Sequence, residues 1–239
     1  MKASLKQIFG PGLWADLRVA SAANGGLFRG LADRFGPRRR LRNVTGEKLI
    51  LHLGCGPRLK TGWINVDMFP GPGAWFADLR NPLELEGGSV RHIHCEHVLE
   101  HLERDEAARF LRECRRVLVA DGTLRFILPD GEKYLRAYAA EDAAFFEPLL
   151  HLGNAVQPLT QRMAVINQMF RMGGGHCYAW DFTELRAALL EAGFSAVQKS
   201  AFGDAPPDLM IDGTEDWRPH ESLYMNAFCS PPTPAVRST

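Results

Sequence analysis

One stretch constrains this chain more than any other. Lys48-Leu49-Ile50-Leu51-His52-Leu53 is an almost unbroken apolar run, and Gly54-Cys55-Gly56-Pro57 halts it at once. Such a run reads as a buried strand, and the glycines and proline after it permit a tight turn while ending regular pairing. A second run, Trp63-Ile64-Asn65-Val66-Asp67, ends in a carboxylate, as does a third, Ala74-Trp75-Phe76-Ala77-Asp78. Val90-Arg91-His92-Ile93-His94-Cys95 alternates with period two as a fourth strand, and Thr123–Leu128 forms a fifth, closed by Pro129-Asp130. Only ten residues separate Leu53 from Ile64. A parallel crossover needs about a dozen, so the first crossover helix is expected to be truncated.

Between the fourth and fifth strands, residues 103–118 place Ala107, Phe110, Leu111, Cys114, Val117 and Leu118 on one helical face, with charges on the other. Strand, helix and strand in this rhythm imply right-handed crossovers and an α/β fold with a mostly parallel sheet, covered by helices on both faces. A second helix is expected over Phe182–Ala192, opened by Asp181 with Glu184 and ended by Gly193. Ser195–Ser200 and Ser222–Cys229 read as closing strands. Residues 131–172 mix helical runs (Tyr134–Phe146, Arg162–Met172) with Pro148, Gly153 and Pro158, which suits an inserted helical cap.

Charge divides the chain. Residues 1–46 carry nine Lys/Arg against Asp16 and Asp33, whereas the whole chain has 28 basic and 28 acidic residues. This basic, helical N-terminal arm either folds back on the acidic body or makes a weak contact with an anionic surface. Arg38–Arg40 lack the aromatic interleaving of a nucleic-acid stacking platform, so nucleic acid is not an expected partner. The domain proper is expected over 47–229, with a frayed tail at 230–239. No stretch of eighteen apolar residues occurs and no signal-peptide core forms near the start. The five cysteines are scattered without a CxxC pair, so no disulfide framework or zinc ribbon is indicated, and a reducing cytoplasm is the expected compartment.

The chemistry gathers at strand ends. Glycines after a first strand let a backbone approach a ligand closely, and a carboxylate ending the second strand can accept both hydrogen bonds of a ribose diol. Cys55 reads as a small space-filler, since no basic partner flanks it. LHLGCGPRLKTGWINVD, ADLRNPLELEGGSV, CEHVLEHL and FLRECRRVLVADGTLRFILPD together resemble the class I S-adenosylmethionine-dependent methyltransferases. The likeness is specific over residues 47–130 and extends weakly to GGGHCYAWDFTELRAALLEAGF and ESLYMNA. It implies a Rossmann-like, seven-stranded sheet ending in an antiparallel pair, with S-adenosylmethionine as cofactor.

By the same resemblance, Gly54, Cys55 and Gly56 surround the methionine part of the cofactor. Asp67 and Met68 lie at the ribose, Asp78 and Leu79 at the adenine, and Glu96 and His97 beside the sulfonium end. Two positions depart from the family pattern: His52 stands where an acid is usual, and the third glycine of the loop is absent. The expected reaction is methylation of an oxygen or nitrogen on a small-molecule or glycan-like acceptor. The departures keep open a catalytically silent cofactor-binding module.

Histidines supply the candidates for catalysis. His176, after Gly173-Gly174-Gly175, and His101, after the fourth strand, are the expected proton acceptors, because a neutral imidazole takes a proton near pH 7. Tyr178, Arg218 and Glu221 are the expected acceptor contacts. His97-Val98-Leu99-Glu100-His101 formally matches HxxEH, which would make a zinc hydrolase. The match follows a strand inside a cofactor pattern, so no metal is expected.

Overall fold

The structure is a computed structural model that describes residues 39–150, 159–206, 209, 212 and 218–230. The expected arm before Arg39 and the expected tail beyond Ser230 lie outside the described residues.

Seven strands form one sheet: β1 (Leu49–Leu53), β2 (Ile64–Asp67), β3 (Trp75–Phe76), β4 (Val90–Glu96), β5 (Leu118–Pro129), β6 (Ala196–Ser200) and β7 (Ser222–Phe228). Their spatial order is β3-β2-β1-β4-β5-β7-β6. β1 to β5 pair in parallel, and β7 runs antiparallel to both β5 and β6. The Rossmann-like, mostly parallel sheet read from the sequence is the fold found. Residues 54–63 connect β1 to β2 without a helix, in keeping with the short spacing.

Helices α1 (Arg104–Val117) and α2 (Gly131–Ala139) flank β5 in the chain, followed by α3 (Ala143–Leu150), α4 (Arg162–Arg171), α5 (Phe182–Glu191) and the single turn α6 (Arg218–Glu221). The α1 stripe works as its spacing requires: Ala107, Phe110, Leu111, Cys114 and Val117 are all buried. They share a core with Leu51, Leu53, Ile93, Cys95, Leu124 and Phe126 of the sheet and with Leu185, Ala188 and Leu189 of α5. Each such Leu or Phe removed from water contributes about 1.5–3 kcal/mol. Asp181 caps α5 by accepting the Glu184 N–H at 2.8 Å, as the sequence pattern indicates.

The opposite face of the sheet is polar yet buried. His52, His94 and Arg125 sit in register across β1, β4 and β5, at 6%, 0% and 1% exposure. Arg125 is held by Asp212 through two bonds of 2.7 and 2.6 Å, and also by Ser200, Asn226 and the Ala201 carbonyl. The loop after β6 is thereby fastened over this face. Trp63 packs edge-on to His92, with ring centroids 5.7 Å apart.

The basic segment joins the fold at β3. Arg39 stacks 4.1 Å over Trp75, Arg40 lies over Phe76, and Leu41 is fully buried in the core, ahead of the boundary expected at residue 47. In the expected cap, the helical run read over Tyr134–Phe146 is broken in two, because Glu141 adopts a left-handed φ of 53° between α2 and α3. α2, α3 and α4 bury Tyr134, Phe145, Phe146, Leu149, Val165, Ile166 and Met169 in a second apolar cluster of their own.

Candidate active site

The turn after β1 is built by two glycines for different reasons. Gly54 has φ +70°, and a Cβ there would lie 2.0 Å from Cγ2 of Val98, in the turn after β4. Gly56 has φ +50° but faces open space. Both conformations favour glycine, and the first also lets two strand ends approach. The Gly54 and Cys55 N–H groups both donate to the Val66 carbonyl, at 2.9 and 3.1 Å, tying the turn to β2.

Asp67, at the end of β2, holds the same turn. Its Oδ2 accepts the Gly56 N–H at 2.9 Å and its Oδ1 accepts the Phe69 N–H at 2.7 Å. A carboxylate has about four acceptor positions, so each oxygen keeps one for a further donor. Asp78 is gripped by Arg80 through bonds of 2.8 and 2.7 Å. Cys55 is buried, and its thiol is pushed up to about 12 by that burial and then by the Asp67 charge, which leaves it inert.

The expected site residues distribute over neighbouring cavities. Gly54, Asp67, Met68, Leu79, His97 and His101 line one of about 230 Å³, together with Val98 and Gly175. Gly54, Cys55, Gly56, Glu96, His97 and Arg218 line a second of about 440 Å³, with His52 at its back. His97, His176 and Glu221 line a third of about 240 Å³, roofed by Leu149, Leu159, Val165 and Met169 of the helical segment. Asp78 lines a further cavity with Arg40 and Phe76, which adjoins the first through Met68, Phe69, Ala77 and Arg80. Tyr178 lines yet another, beside Trp180, and its hydroxyl donates to Glu184.

His97 is common to all three cavities, and its surroundings are exceptional. Its backbone is left-handed, with φ 50°, a conformation that costs a non-glycine residue about 1–3 kcal/mol and concentrates at functional sites. Nδ1 lies 3.3 Å from Glu100 and Nε2 3.3 Å from Glu221, with the Ser222 hydroxyl at 3.1 Å. Burial alone would lower this imidazole, but Glu100 and Glu221 override it and raise the group to about 9. Tyr134 donates to Glu221 at 2.8 Å from α2. Burial works against the charged form of Glu96, yet His94, Arg218 and His97 hold its carboxyl at about 2.

His101 and His176 stand edge to face, with centroids 4.8 Å apart. The Nδ1 of His101 lies 3.0 Å from the Gly175 carbonyl and that of His176 lies 2.5 Å from the Met169 carbonyl. A carbonyl only accepts, so in the neutral ring of each histidine Nδ1 carries the proton and Nε2 keeps a lone pair. Burial lowers His176, which keeps it neutral near pH 7. His52, in place of the usual acid, is neutral as well, held down at about 4 by burial and by His94.

Sequence reasoning passed over Tyr134, Ser222 and, outside the HxxEH match, Glu100. Glu100 lies within the EHVLEHL segment and was legible there. Tyr134 and Ser222 carry no local signal, being brought in by packing.

The glycine turn, its open ground at Gly56, the spare acceptors of Asp67 and the apolar walls at Leu79 and Val98 fit a nucleoside-bearing methyl donor. Residues 75–126, about a fifth of the chain, match the family model described as a methyltransferase domain. The chain is similar to a SAM-dependent methyltransferase from Thermotoga maritima at 14% identity, covering 96% of each chain with a TM-score of 0.46. It is similar to one from Archaeoglobus fulgidus at 13% identity, covering 88% of this chain and 98% of that one with a TM-score of 0.47. It also resembles the CurJ carbon methyltransferase at 13% identity and a TM-score of 0.45, where 96% of this chain spans 58% of that one. No curated protein matches it in sequence. Among the described residues no helix is long and apolar enough to cross a membrane.

Proposed function

We propose that this protein transfers a methyl group from S-adenosylmethionine to an oxygen or nitrogen of a small-molecule or glycan-like acceptor held beneath α2, α3 and α4. The observation that carries this reading is His97, one wall shared by the cavity at Gly54 and Asp67 and by the cavity under the helical segment. Donor and acceptor compartments meet there. The acceptor cavity, about 240 Å³, is smaller than the roughly 300–1,000 Å³ of sites for drug-sized ligands, which suits a small acceptor.

S-adenosylmethionine, when bound, supplies a methyl carbon already activated by its sulfonium charge. The chain's own residues then chiefly orient. Asp67 offers its spare acceptors to the ribose diol, Gly56 leaves its backbone open, and Leu79 and Val98 enclose the nucleoside. Tyr134 and Glu221 lock His97, and so fix the wall between the compartments. Orientation of this kind is worth about 7–11 kcal/mol of barrier. His101 lines the first compartment and His176 the second, and each keeps an Nε2 lone pair with which to receive the acceptor's proton.

The test is a screen for S-adenosylhomocysteine release across sugars, other polyols, phenols and amines, paired with calorimetric titration of the cofactor. Turnover with a small hydroxyl or amine acceptor supports the reading. Tight cofactor binding without turnover on any class would instead make this a silent binding module.

A further inference from the structure

We propose that Glu100, His101 and His176 together bind a divalent transition-metal ion, through which the site takes a hydroxyl acceptor with two adjacent oxygens. The ion site stands on its own geometry, and the acceptor class rests on the methyl-transfer reading above.

Three observations converge. One ligand atom from each of the three side chains lies within 4.8 Å of the others, although His176 is 75 residues beyond His101 in the chain. Both imidazoles are oriented as metal ligands are, with Nδ1–H donated to the carbonyls of Gly175 and Met169 and Nε2 left as a Lewis base. Glu100 is 3% exposed, its Oε1 lies 3.3 Å from His97, and its Oε2 has no hydrogen-bond partner among the described residues. A buried carboxylate oxygen left unsatisfied is costly, and a cation removes that cost.

The HxxEH segment enters this site in a way its spelling does not suggest. It forms no α-helix, only the 3-10 turn Leu99–His101, so His97 and His101 do not share a helical face. Both ring nitrogens of His97 face carboxylates instead. His97 thus braces Glu100 from behind, and His176 takes the place of the third ligand.

Two imidazoles and one carboxylate suit Mn²⁺, Co²⁺ or Zn²⁺ better than Ca²⁺ or Mg²⁺. With metal–ligand bonds of about 2.0–2.2 Å, adjacent ligand atoms sit about 3 Å apart, so the group must contract. Gly173 and Gly174, at φ +64° and +94°, precede His176 and supply that freedom. Three protein ligands leave coordination positions open between the cavity lined by His101 and that lined by His176. Neighbouring hydroxyls of a sugar or polyol fill two such positions as a chelate; the ion raises the acidity of the bound hydroxyl, which gives its proton to solvent water as its oxygen bonds the methyl carbon, the C–S bond breaks and S-adenosylhomocysteine leaves.

The test uses the full chain, freed of metal with a chelator and dialysed against Mn²⁺, Co²⁺ or Zn²⁺. We expect one ion per chain and a visible ligand-field band with Co²⁺. His176→Ala and Glu100→Gln are expected to weaken binding of the ion at least tenfold while leaving S-adenosylhomocysteine affinity within about threefold. His176 is a loop residue, so its variant guards against a folding failure at buried Glu100. Re-added Mn²⁺ should restore methylation of a vicinal diol. A wild-type chain that binds S-adenosylhomocysteine but takes up no stoichiometric ion overturns the proposal, as do variants that bind the ion unchanged. Methylation of amines and diols alike in the presence of chelator overturns the acceptor class. Failure of the wild-type chain to bind S-adenosylhomocysteine would defeat the methyl-transfer reading and leave the ion measurement standing alone.

Discussion

Replacing Asp67 gives the sharpest test of the cofactor cradle. Each carboxylate oxygen already accepts one backbone N–H, from Gly56 at 2.9 Å and from Phe69 at 2.7 Å, which fixes the group in rotation. The remaining acceptor positions are those assigned to the ribose diol. A hydrogen bond to a charged acceptor is worth about 1.5–3 kcal/mol, so Asp67→Ala removes about 3–6 kcal/mol, roughly 10²–10⁴-fold in affinity. Asp67 is only half-buried, which places the effect toward the lower end. Asp67→Asn should lose about half as much, because its amide nitrogen must face one of two backbone donors. Calorimetric titration with S-adenosylhomocysteine, which carries the same ribose, measures both variants, with a thermal melt to confirm folding. A 2′-deoxy analogue completes the cycle: it keeps one of the two bonds, so it should bind wild type more weakly and lose only about half as much in Asp67→Ala. Folded variants that bind S-adenosylhomocysteine within threefold of wild type would refute the assignment.

Gly54→Ala combines a left-handed backbone with a Cβ 2.0 Å from Val98, and should cost about 2–4 kcal/mol of stability. Adding Val98→Ala should recover the steric part, and a double variant no more stable than the single one in urea denaturation would show that the contact is not the cause. Arg125→Met strands buried Asp212 without its partner, a loss of about 3–5 kcal/mol that Asp212→Leu should largely reverse; equal stability losses in the single and double variants would contradict this. His52 and His92 are held down at about 4 and about 3, in both cases first by burial and then by His94. The unfolded chain therefore binds more protons below pH 6.5. Stability should be fully present above that pH and fall toward pH 4 by up to about 1.4 kcal/mol per pH unit for each group. A flat urea midpoint between pH 7 and pH 4.5 would argue against neutral buried histidines.

Much of the scaffold was legible in the sequence because its signals are local. The apolar run that stops at Gly54-Cys55-Gly56, the carboxylate ending β2, the α1 stripe and the Asp181 cap each lie within one or two turns of chain, where periodicity and turn chemistry act. Ten residues between β1 and β2 were enough to exclude a full crossover helix. The same local rules mistook the segment Tyr134–Phe146 for a single helical run, since nothing in its periodicity marks the left-handed break at Glu141.

The functional centre was decided at a longer range. His97 and Glu100 come from the end of β4, Glu221 from the threshold of β7, and Tyr134 from α2, and they meet because the order β1-β4-β5-β7 sets those strand ends side by side. Arg125 finds Asp212 for the same reason, across a face that local patterning could not identify as covered. His101 and His176 were each nameable from their neighbours, but their edge-to-face contact was not. The sequence alone determined which elements form and which residue types end them. Only the tertiary structure decided which of those ends converge, because separation along the chain carries no information about distance once strands are paired out of order.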